Sequence, residues 1–138
     1  MSIVNNWKQD IINEIVDLHE FFQNWFNGTI PQNEFSRFIE AINTDFQIIS
    51  PRGDLTNKSD LVAILKNGYA RNNLIKIAVT DVNIKPISDD IFLAIYREIQ
   101  TTGTETTSRI SSAIFRRSNN LPNNYSWLHV HETWENTI

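Results

Sequence analysis

The stretch IFLAIYREIQTTGTETTSRISSAIFRR, residues 91–117, decides the fold. Its side chains follow a period of two, which is the period of a β-strand. A polar turn at Gly103 divides it into two runs, Ile91–Gln100 and Thr104–Arg117. A tight turn between two such runs makes the strands antiparallel neighbours. The stretch therefore predicts a long β-hairpin.

The apolar residues of the first hairpin strand lie on both of its faces. They form two sets that point in opposite directions, Leu93, Ile95 and Ile99 against Phe92, Ala94 and Tyr96. A strand with one buried face alternates apolar and polar residues instead. We therefore expect both faces of the sheet to be covered, one by helices and the other by a second copy of the chain. This pattern predicts a homodimer.

Outside the hairpin, further strands and several helices are predicted. The period of two continues in Asp45–Ser50, Leu74–Ile87 and Ser126–Trp134. The helical period of three to four residues occurs in Asn6–Asn27, Gln32–Ile42 and Lys58–Asn67. Asn5 or Asn6 can cap the first helix, and Gly28 can end it. Thr56 or Asn57 can cap the third helix.

The order of these elements defines the fold class. Helices grouped before a run of antiparallel strands are typical of an α+β fold. The sequence contains no internal repeat, low-complexity tract or linker. Residues 1–138 are therefore predicted to form a single domain.

The composition limits the functions that the chain can have. Apolar residues make up 41% and charged residues 20%, as in ordinary globular proteins. The net charge of -4 argues against a non-specific nucleic-acid binder. Without cysteine there can be no disulfide and no thiolate metal site. Because the sequence shows neither a signal-peptide pattern nor an apolar run of roughly 18 residues, we expect a cytoplasmic protein without membrane contact.

The order of elements resembles the nuclear-transport-factor-2-like (NTF2-like, cystatin-like) superfamily. This group includes SnoaL-type and DUF4440-type proteins, ketosteroid isomerase and the association domain of calcium/calmodulin-dependent kinase. The matching pieces are FFQNWFNG, FSRFIEAINTDFQIISPRG, NKSDLVAIL, the hairpin and WLHVHETW. The resemblance implies a strongly curved antiparallel sheet that wraps around the amino-terminal helices as a cone. It also implies a pocket at the open end and dimerisation through the outer face of the sheet.

The last predicted strand, SWLHVHETW, carries two of the three histidines. Trp127, His129 and His131 share one face of a regular strand. The resemblance implies that this face lines the pocket, together with His19 on the first helix and Tyr96 on the hairpin. A pair of histidines two positions apart can begin a zinc site, but on its own it is weak evidence. We predict that these residues contact a ligand and that the protein holds no metal or other cofactor.

Two carboxylates are candidates for catalysis. A ketosteroid-isomerase-like reaction, which the resemblance admits, needs a carboxylate in an apolar pocket. Glu98 follows Tyr96 on the same strand face and is the first candidate base, and Asp45 is the second. A simpler interpretation of Glu98 is a cross-strand ion pair with Arg109 or Arg116.

The predicted function is therefore the binding of a small molecule by a cytoplasmic homodimer. The alternative is a small acid–base enzyme of the isomerase, dehydratase or cyclase type that uses the same pocket. A third interpretation is a pure assembly module. A buried carboxylate in an open pocket favours the enzyme, whereas a pocket filled by its own side chains favours the assembly module.

Overall fold

The computed structural model describes residues 6–135. It begins with α1, Trp7–Asn27, which confirms the predicted long helix. Gly28 ends this helix in the left-handed conformation, with a φ of 77°, and its amide donates to the carbonyl of Trp25. Asn6 precedes the helix without a side-chain cap hydrogen bond. Asn5, the other proposed cap, lies outside the described residues.

The second helix is shorter than predicted and leads directly into a strand. A 3-10 turn, Gln32–Phe35, is followed by α2, Ser36–Ala41, and by β1, Ile42–Ile49. The sequence predicts a helix up to Ile42 and a strand only from Asp45. The chain is already extended at Ile42, where it pairs with the last strand of the sheet. This long-range pairing outweighs the local helical period.

The third helix is confirmed, and a short strand precedes it. The helix, α3, spans Lys58–Asn67, and the side chain of Asn57 caps it by accepting a hydrogen bond from the amide of Asp60. The short strand, β2, spans Leu55–Asn57 and pairs antiparallel with β1. Three residues are too few to show the period of two that is typical of a strand, so β2 was not predicted from the sequence.

Four long strands follow α3 and differ from the predicted ones only at their ends. They are β3 (Ile75–Pro86), β4 (Ile91–Thr102), β5 (Glu105–Arg117) and β6 (Tyr125–Trp134). Strands β4 and β5 form the predicted hairpin around Gly103. All six strands form one sheet in the order β2-β1-β6-β5-β4-β3.

The sheet is antiparallel except between β1 and β6, which are parallel. The first and last strands are therefore neighbours in the middle of the sheet. The sheet curls without closing, and α1 packs against its concave face. This arrangement confirms the predicted α+β fold with a strongly curved sheet. No helix within residues 6–135 is long and apolar enough to cross a bilayer.

A β-bulge interrupts the regular alternation of β6. Opposite β5, Trp127 pairs with Phe115 and His129 pairs with Ile114. Leu128 lies between these two pairs and has no partner of its own on β5. One extra residue in a strand moves every later side chain to the other face.

The bulge overturns the predicted orientation of two histidines. After it, Val130 and Glu132 turn to the concave face, where they line a cavity together with Trp127. His129 and His131 turn to the convex face, and His131 is exposed. The prediction that both histidines share a face with Trp127 is wrong, because it assumes an unbroken strand.

We predict that Gly28→Ala destabilises the protein more than Gly53→Ala. Both glycines have a positive φ, 77° and 90°, so alanine is strained at each by roughly 1 kcal/mol. A Cβ at position 28 would also lie 2.7 Å from the Cβ of Ala70, whereas one at position 53 would meet nothing within 4 Å. Urea unfolding should therefore show a loss of roughly 2–4 kcal/mol for Gly28→Ala. Equal losses for the two variants would contradict the close contact with Ala70.

Candidate functional site

A cavity of about 190 Å³ lies between α1, α3 and the concave face of the sheet. Most of its wall is aromatic or aliphatic, with Phe22, Phe26, Phe38, Phe46, Leu61 and Leu65 among the lining residues. Drug-sized sites usually measure roughly 300–1,000 Å³. The cavity therefore suits a small ligand with a mainly apolar surface.

The wall formed by β4, β5 and β6 changes from apolar to charged along the strands. Residues that lie opposite one another on these strands form four rows across the sheet. The rows are Phe92–Phe115–Trp127, Ala94–Ala113–Val130, Tyr96–Ser111–Glu132 and Glu98–Arg109–Trp134. The charged residues all lie in the two rows nearest to the hairpin turn at Gly103.

A histidine on α1 meets a glutamate on β4 inside the cavity. His19 Nε2 lies 2.9 Å from Glu98 Oε1, and His19 Nδ1 lies 2.7 Å from the carbonyl oxygen of Ile15. The second carboxylate oxygen of Glu98 accepts a hydrogen bond from Gln100 Nε2 at 2.5 Å. Both His19 and Glu98 are 5% exposed. Each ring nitrogen of His19 and each carboxylate oxygen of Glu98 therefore has a partner.

The hydrogen bonds define the charge of this pair. Both nitrogens of His19 face acceptors, so both carry a proton and the ring is cationic. Burial raises the pKa of Glu98, but the charge of His19 and the hydrogen bonds from His19 and Gln100 outweigh it and lower the pKa to about 2. Burial lowers the pKa of His19, but the charge of Glu98 and the hydrogen bonds to Glu98 and Ile15 outweigh it, so the pKa rises above 6.5. His19 and Glu98 form a buried ion pair.

A second pair of charged residues, Arg109 and Glu132, lies beside the first. Arg109 Nη1 is 3.3 Å from Glu132 Oε1, and the two side chains are 16% and 10% exposed. The guanidinium group of Arg109 stacks on the ring of Trp134 at 4.8 Å. Burial raises the pKa of Glu132, the charge of Arg109 lowers it and the charge of Glu98 raises it, so the pKa lies above its ordinary value. Glu132 is therefore held less firmly in its charged form than Glu98.

Trp127 is held in the cavity wall by a buried carboxylate on α1. Its indole Nε1 donates to Glu14 Oε2 at 2.8 Å. Arg37 donates to both oxygens of Glu14, at 2.8 and 3.3 Å, and Asn123 donates to one of them at 3.0 Å. Glu14 is 1% exposed and accepts four hydrogen bonds. This set of bonds fixes the indole ring at the apolar end of the cavity.

Three of the five residues predicted to contact a ligand lie in the cavity wall. They are His19, Tyr96 and Trp127. His129 and His131 lie on the convex face and do not line the cavity. The structure therefore does not bring His129 and His131 together with His19 in the cavity. A ligand-binding role for the residues in the wall stays a prediction.

The two candidate bases are placed very differently. Glu98 lines the cavity, but its hydrogen bond goes to His19 and not to Arg109, the residue opposite it on β5. Asp45 is exposed on β1 and does not line the cavity, because the side chains of that strand that reach the cavity are those of Ile42, Phe46 and Ile48. The prediction that Asp45 is a base in the pocket is therefore wrong, because its side chain does not reach the cavity.

Three further residues that line the cavity, Arg109, Glu132 and Gln100, were not predicted from the sequence. The position of Arg109 can be predicted from the hairpin, because residues at equal distances from the turn lie opposite one another, and Arg109 then lies opposite Glu98. Gln100 follows Glu98 on the same face of β4. Nothing in the sequence indicates that Glu132 lines the cavity, because the bulge at Leu128 turns the Glu132 side chain to the opposite face of the sheet.

Comparison with known proteins defines the family. The family model described as sucrose-6-phosphate phosphohydrolase C-terminal matches residues 11–136. This chain belongs to that family. No curated protein matches the sequence.

Solved structures share the fold of this family member at low sequence identity. An NTF2-like protein of unknown function from Pseudomonas aeruginosa has a TM-score of 0.85 and 20% identity, over 92% of this chain and 99% of that one. The association domain of CaMKII from C. elegans has a TM-score of 0.69 and 16% identity, over 91% and 94%. An NTF2-like protein from Cytophaga hutchinsonii has a TM-score of 0.68 and 16% identity, over 92% and 98%. These matches confirm the NTF2-like, cystatin-like fold, while the finer assignment to SnoaL-type or DUF4440-type proteins stays a prediction.

We predict that His19→Gln lowers stability most between about pH 4.5 and 6.5. Glu98, with its lowered pKa, stabilises the fold above its ordinary value of 4.5, and this contribution is lost as the pH falls towards 2. His19, with its raised pKa, contributes fully below 6.5 and loses its contribution as the pH rises through its folded pKa. Urea unfolding at several pH values measures the difference. His131→Gln, an exposed control, should change stability little, and a pH-independent loss for His19→Gln would contradict the ion pair.

Proposed function

We propose that this member of the family binds a small, mainly apolar molecule in the cavity beneath α1. The observation that carries the proposal is that four charged side chains line a mainly apolar cavity. They are His19, Glu98, Arg109 and Glu132. Buried ion pairs are weak contributors to stability, because desolvation offsets their attraction. Shifted pKa values in a concave apolar site are typical of functional sites.

The charges of the cavity favour a ligand without net charge. Two cations, His19 and Arg109, balance two carboxylates, Glu98 and Glu132. The name of the family refers to sucrose-6-phosphate, whose phosphate group is an anion. A phosphate in this cavity would lie beside both carboxylates without an uncompensated cation, which is an unfavourable arrangement. We therefore propose a neutral ligand for this site.

A second copy of the chain is proposed to cover the convex face of the sheet. The apolar residues on that face include Leu93, Ile95, Ile99, Ile110 and Ile114. All five are partly or largely accessible, and Ile95 is 37% exposed. Several exposed apolar residues on one face of a sheet are consistent with an interaction site. Two proteins with a similar structure are named as an association domain and a hub of CaMKII, which is consistent with self-association through this fold.

An acid–base enzyme is the second candidate, and the two glutamates favour it. Glu98 has a pKa of about 2, whereas the pKa of Glu132 is raised. Two carboxylates whose environments move their pKa values apart are a recurring arrangement in acid–base catalysis. In this alternative Glu132, and not Glu98, is the proton acceptor, because both oxygens of Glu98 are already hydrogen-bonded.

We predict that Val130→Phe abolishes thermal stabilisation by ligands found in a screen of small neutral metabolites. Val130 is 5% exposed and lines the cavity, so the larger ring occupies space that a ligand needs. Differential scanning fluorimetry measures the shift in Tm with and without each compound. His129→Phe, on the convex face of the same strand, is the matched control and should keep the shift. A wild-type protein with no ligand-induced shift, or a shift that survives Val130→Phe, would contradict the proposal.

We predict that Ile95→Lys shifts the protein from dimer to monomer. A lysine in the middle of the convex apolar face would place a charge in the proposed interface, at a cost of several kcal/mol of association free energy. Sedimentation equilibrium over a range of concentrations gives the association state. Ile64→Lys on α3, where Ile64 is 58% exposed, is the control and should leave the dimer intact. A wild-type protein that is a monomer at every concentration would contradict the dimer.

A further inference from the structure

Most polar atoms that line the cavity already have partners. His19 bonds to Glu98 and Ile15, Gln100 bonds to Glu98, and Trp127 bonds to Glu14 outside the cavity. These side chains therefore have little capacity to recognise the polar end of a ligand. Besides the hydroxyl of Tyr96, the second charged pair keeps such capacity.

The Arg109–Glu132 pair is joined by one long hydrogen bond. It links Arg109 Nη1 to Glu132 Oε1 at 3.3 Å. Within residues 6–135, nothing donates to the other oxygen of Glu132, and Nη2 of Arg109 donates to nothing. An ionised carboxylate can accept several hydrogen bonds, and a guanidinium group can donate five. The pair therefore offers a ligand an acceptor on Glu132 and a donor on Arg109, whose Nε also has no partner among the described residues.

We propose that the cavity selects a neutral ligand whose polar end is a hydroxyl group, which donates to Glu132 and accepts from Arg109. The proposal rests on the ligand-binding function proposed above and names the class of ligand. The rest of the molecule is aromatic or aliphatic, because it lies against Phe22, Phe38 and Phe46. The ligand is therefore a small apolar alcohol or phenol.

Other polar groups fit the pair less well. A carboxylate cannot donate a hydrogen bond and is repelled by Glu132 and Glu98. An ammonium group cannot accept a hydrogen bond and is repelled by Arg109 and His19. An ether only accepts, so it leaves the free oxygen of Glu132 without a donor. Burial raises the pKa of Glu132, which is consistent with a carboxylate that lacks hydrogen-bond donors.

Three matched probes test the proposal by isothermal titration calorimetry. They are 1-naphthol, its methyl ether 1-methoxynaphthalene and the anion 1-naphthoate. We expect 1-naphthol to bind about tenfold more tightly than the ether, which corresponds to the loss of one hydrogen bond to a charged group. We expect 1-naphthoate to bind more weakly than 1-naphthol.

Variants of Glu132 and Arg109 test whether these two residues cause the preference for 1-naphthol over its methyl ether. Glu132→Leu should bind the alcohol and the ether with nearly equal affinity. Because this variant leaves Arg109 without its partner, the double variant Glu132→Leu/Arg109→Leu provides a charge-balanced version, and thermal unfolding verifies that each variant folds. Glu105→Leu changes an exposed glutamate on β5 and should keep the preference of the wild type.

The outcomes separate this proposal from the function on which it rests. Equal binding of 1-naphthol and the ether to the wild type overturns the hydroxyl selectivity but supports the cavity as a binding site. A preference that persists in the double variant overturns the assignment to Glu132 and Arg109. Failure of all three probes to bind overturns the binding function of the cavity itself.

Discussion

The hydrogen bonds of the buried carboxylate of Glu14 determine how the helices meet the sheet. Glu14 lies on α1 and accepts from Arg37 of α2, from Asn123 in the loop before β6 and from Trp127 at the start of β6. A buried carboxylate without donors costs several kcal/mol, so the segments that supply these donors must be in place together. Because Trp127 is fixed in this way, the start of β6 has a defined position against α1, and the bulge that follows determines which side chains reach the cavity.

The cavity combines two features that are seldom found without a functional reason. Its wall is mainly aromatic and aliphatic, yet four charged side chains from α1, β4, β5 and β6 line it. The His19–Glu98 pair is saturated with hydrogen bonds, which makes it a rigid part of the wall. The Arg109–Glu132 pair is joined by one long hydrogen bond, which supports the proposal that it contacts a ligand. Membership of the sucrose-6-phosphate phosphohydrolase C-terminal family and the NTF2-like fold are consistent with such a cavity, but neither defines what enters it.

Much of the fold is readable from the sequence because it depends on local periods. The long helix up to Gly28, the third helix and the hairpin around Gly103 each show a regular pattern of apolar residues. The parallel pairing of β1 with β6 is not readable in this way, since it joins segments that are distant in the chain. Neither is the early start of β1 at Ile42, which follows from that pairing.

Only part of the candidate site can be predicted from the sequence, because a β-bulge interrupts the last strand. Strand alternation correctly places Tyr96 and Glu98 together, because β4 is regular between the hairpin turn and Ile91. Strand alternation fails for the last strand, because Leu128 has no partner on β5. As a result Val130 and Glu132 face the cavity, and the two histidines of this strand face away from it. A bulge has no period and no distinctive composition, so a pattern of alternating residues does not reveal it.

The central position of β6 has a consequence for how the chain is made. During synthesis, β1 leaves the ribosome long before β6, the strand that will lie beside it, so one edge of β1 and one edge of β5 stay open until β6 emerges. Contacts between distant segments also slow folding, because a large loop must close before they form. The nascent chain therefore exposes the unpaired edge of β1 for a long interval and that of β5 for a short one, and it is most prone to aggregate while these edges are open.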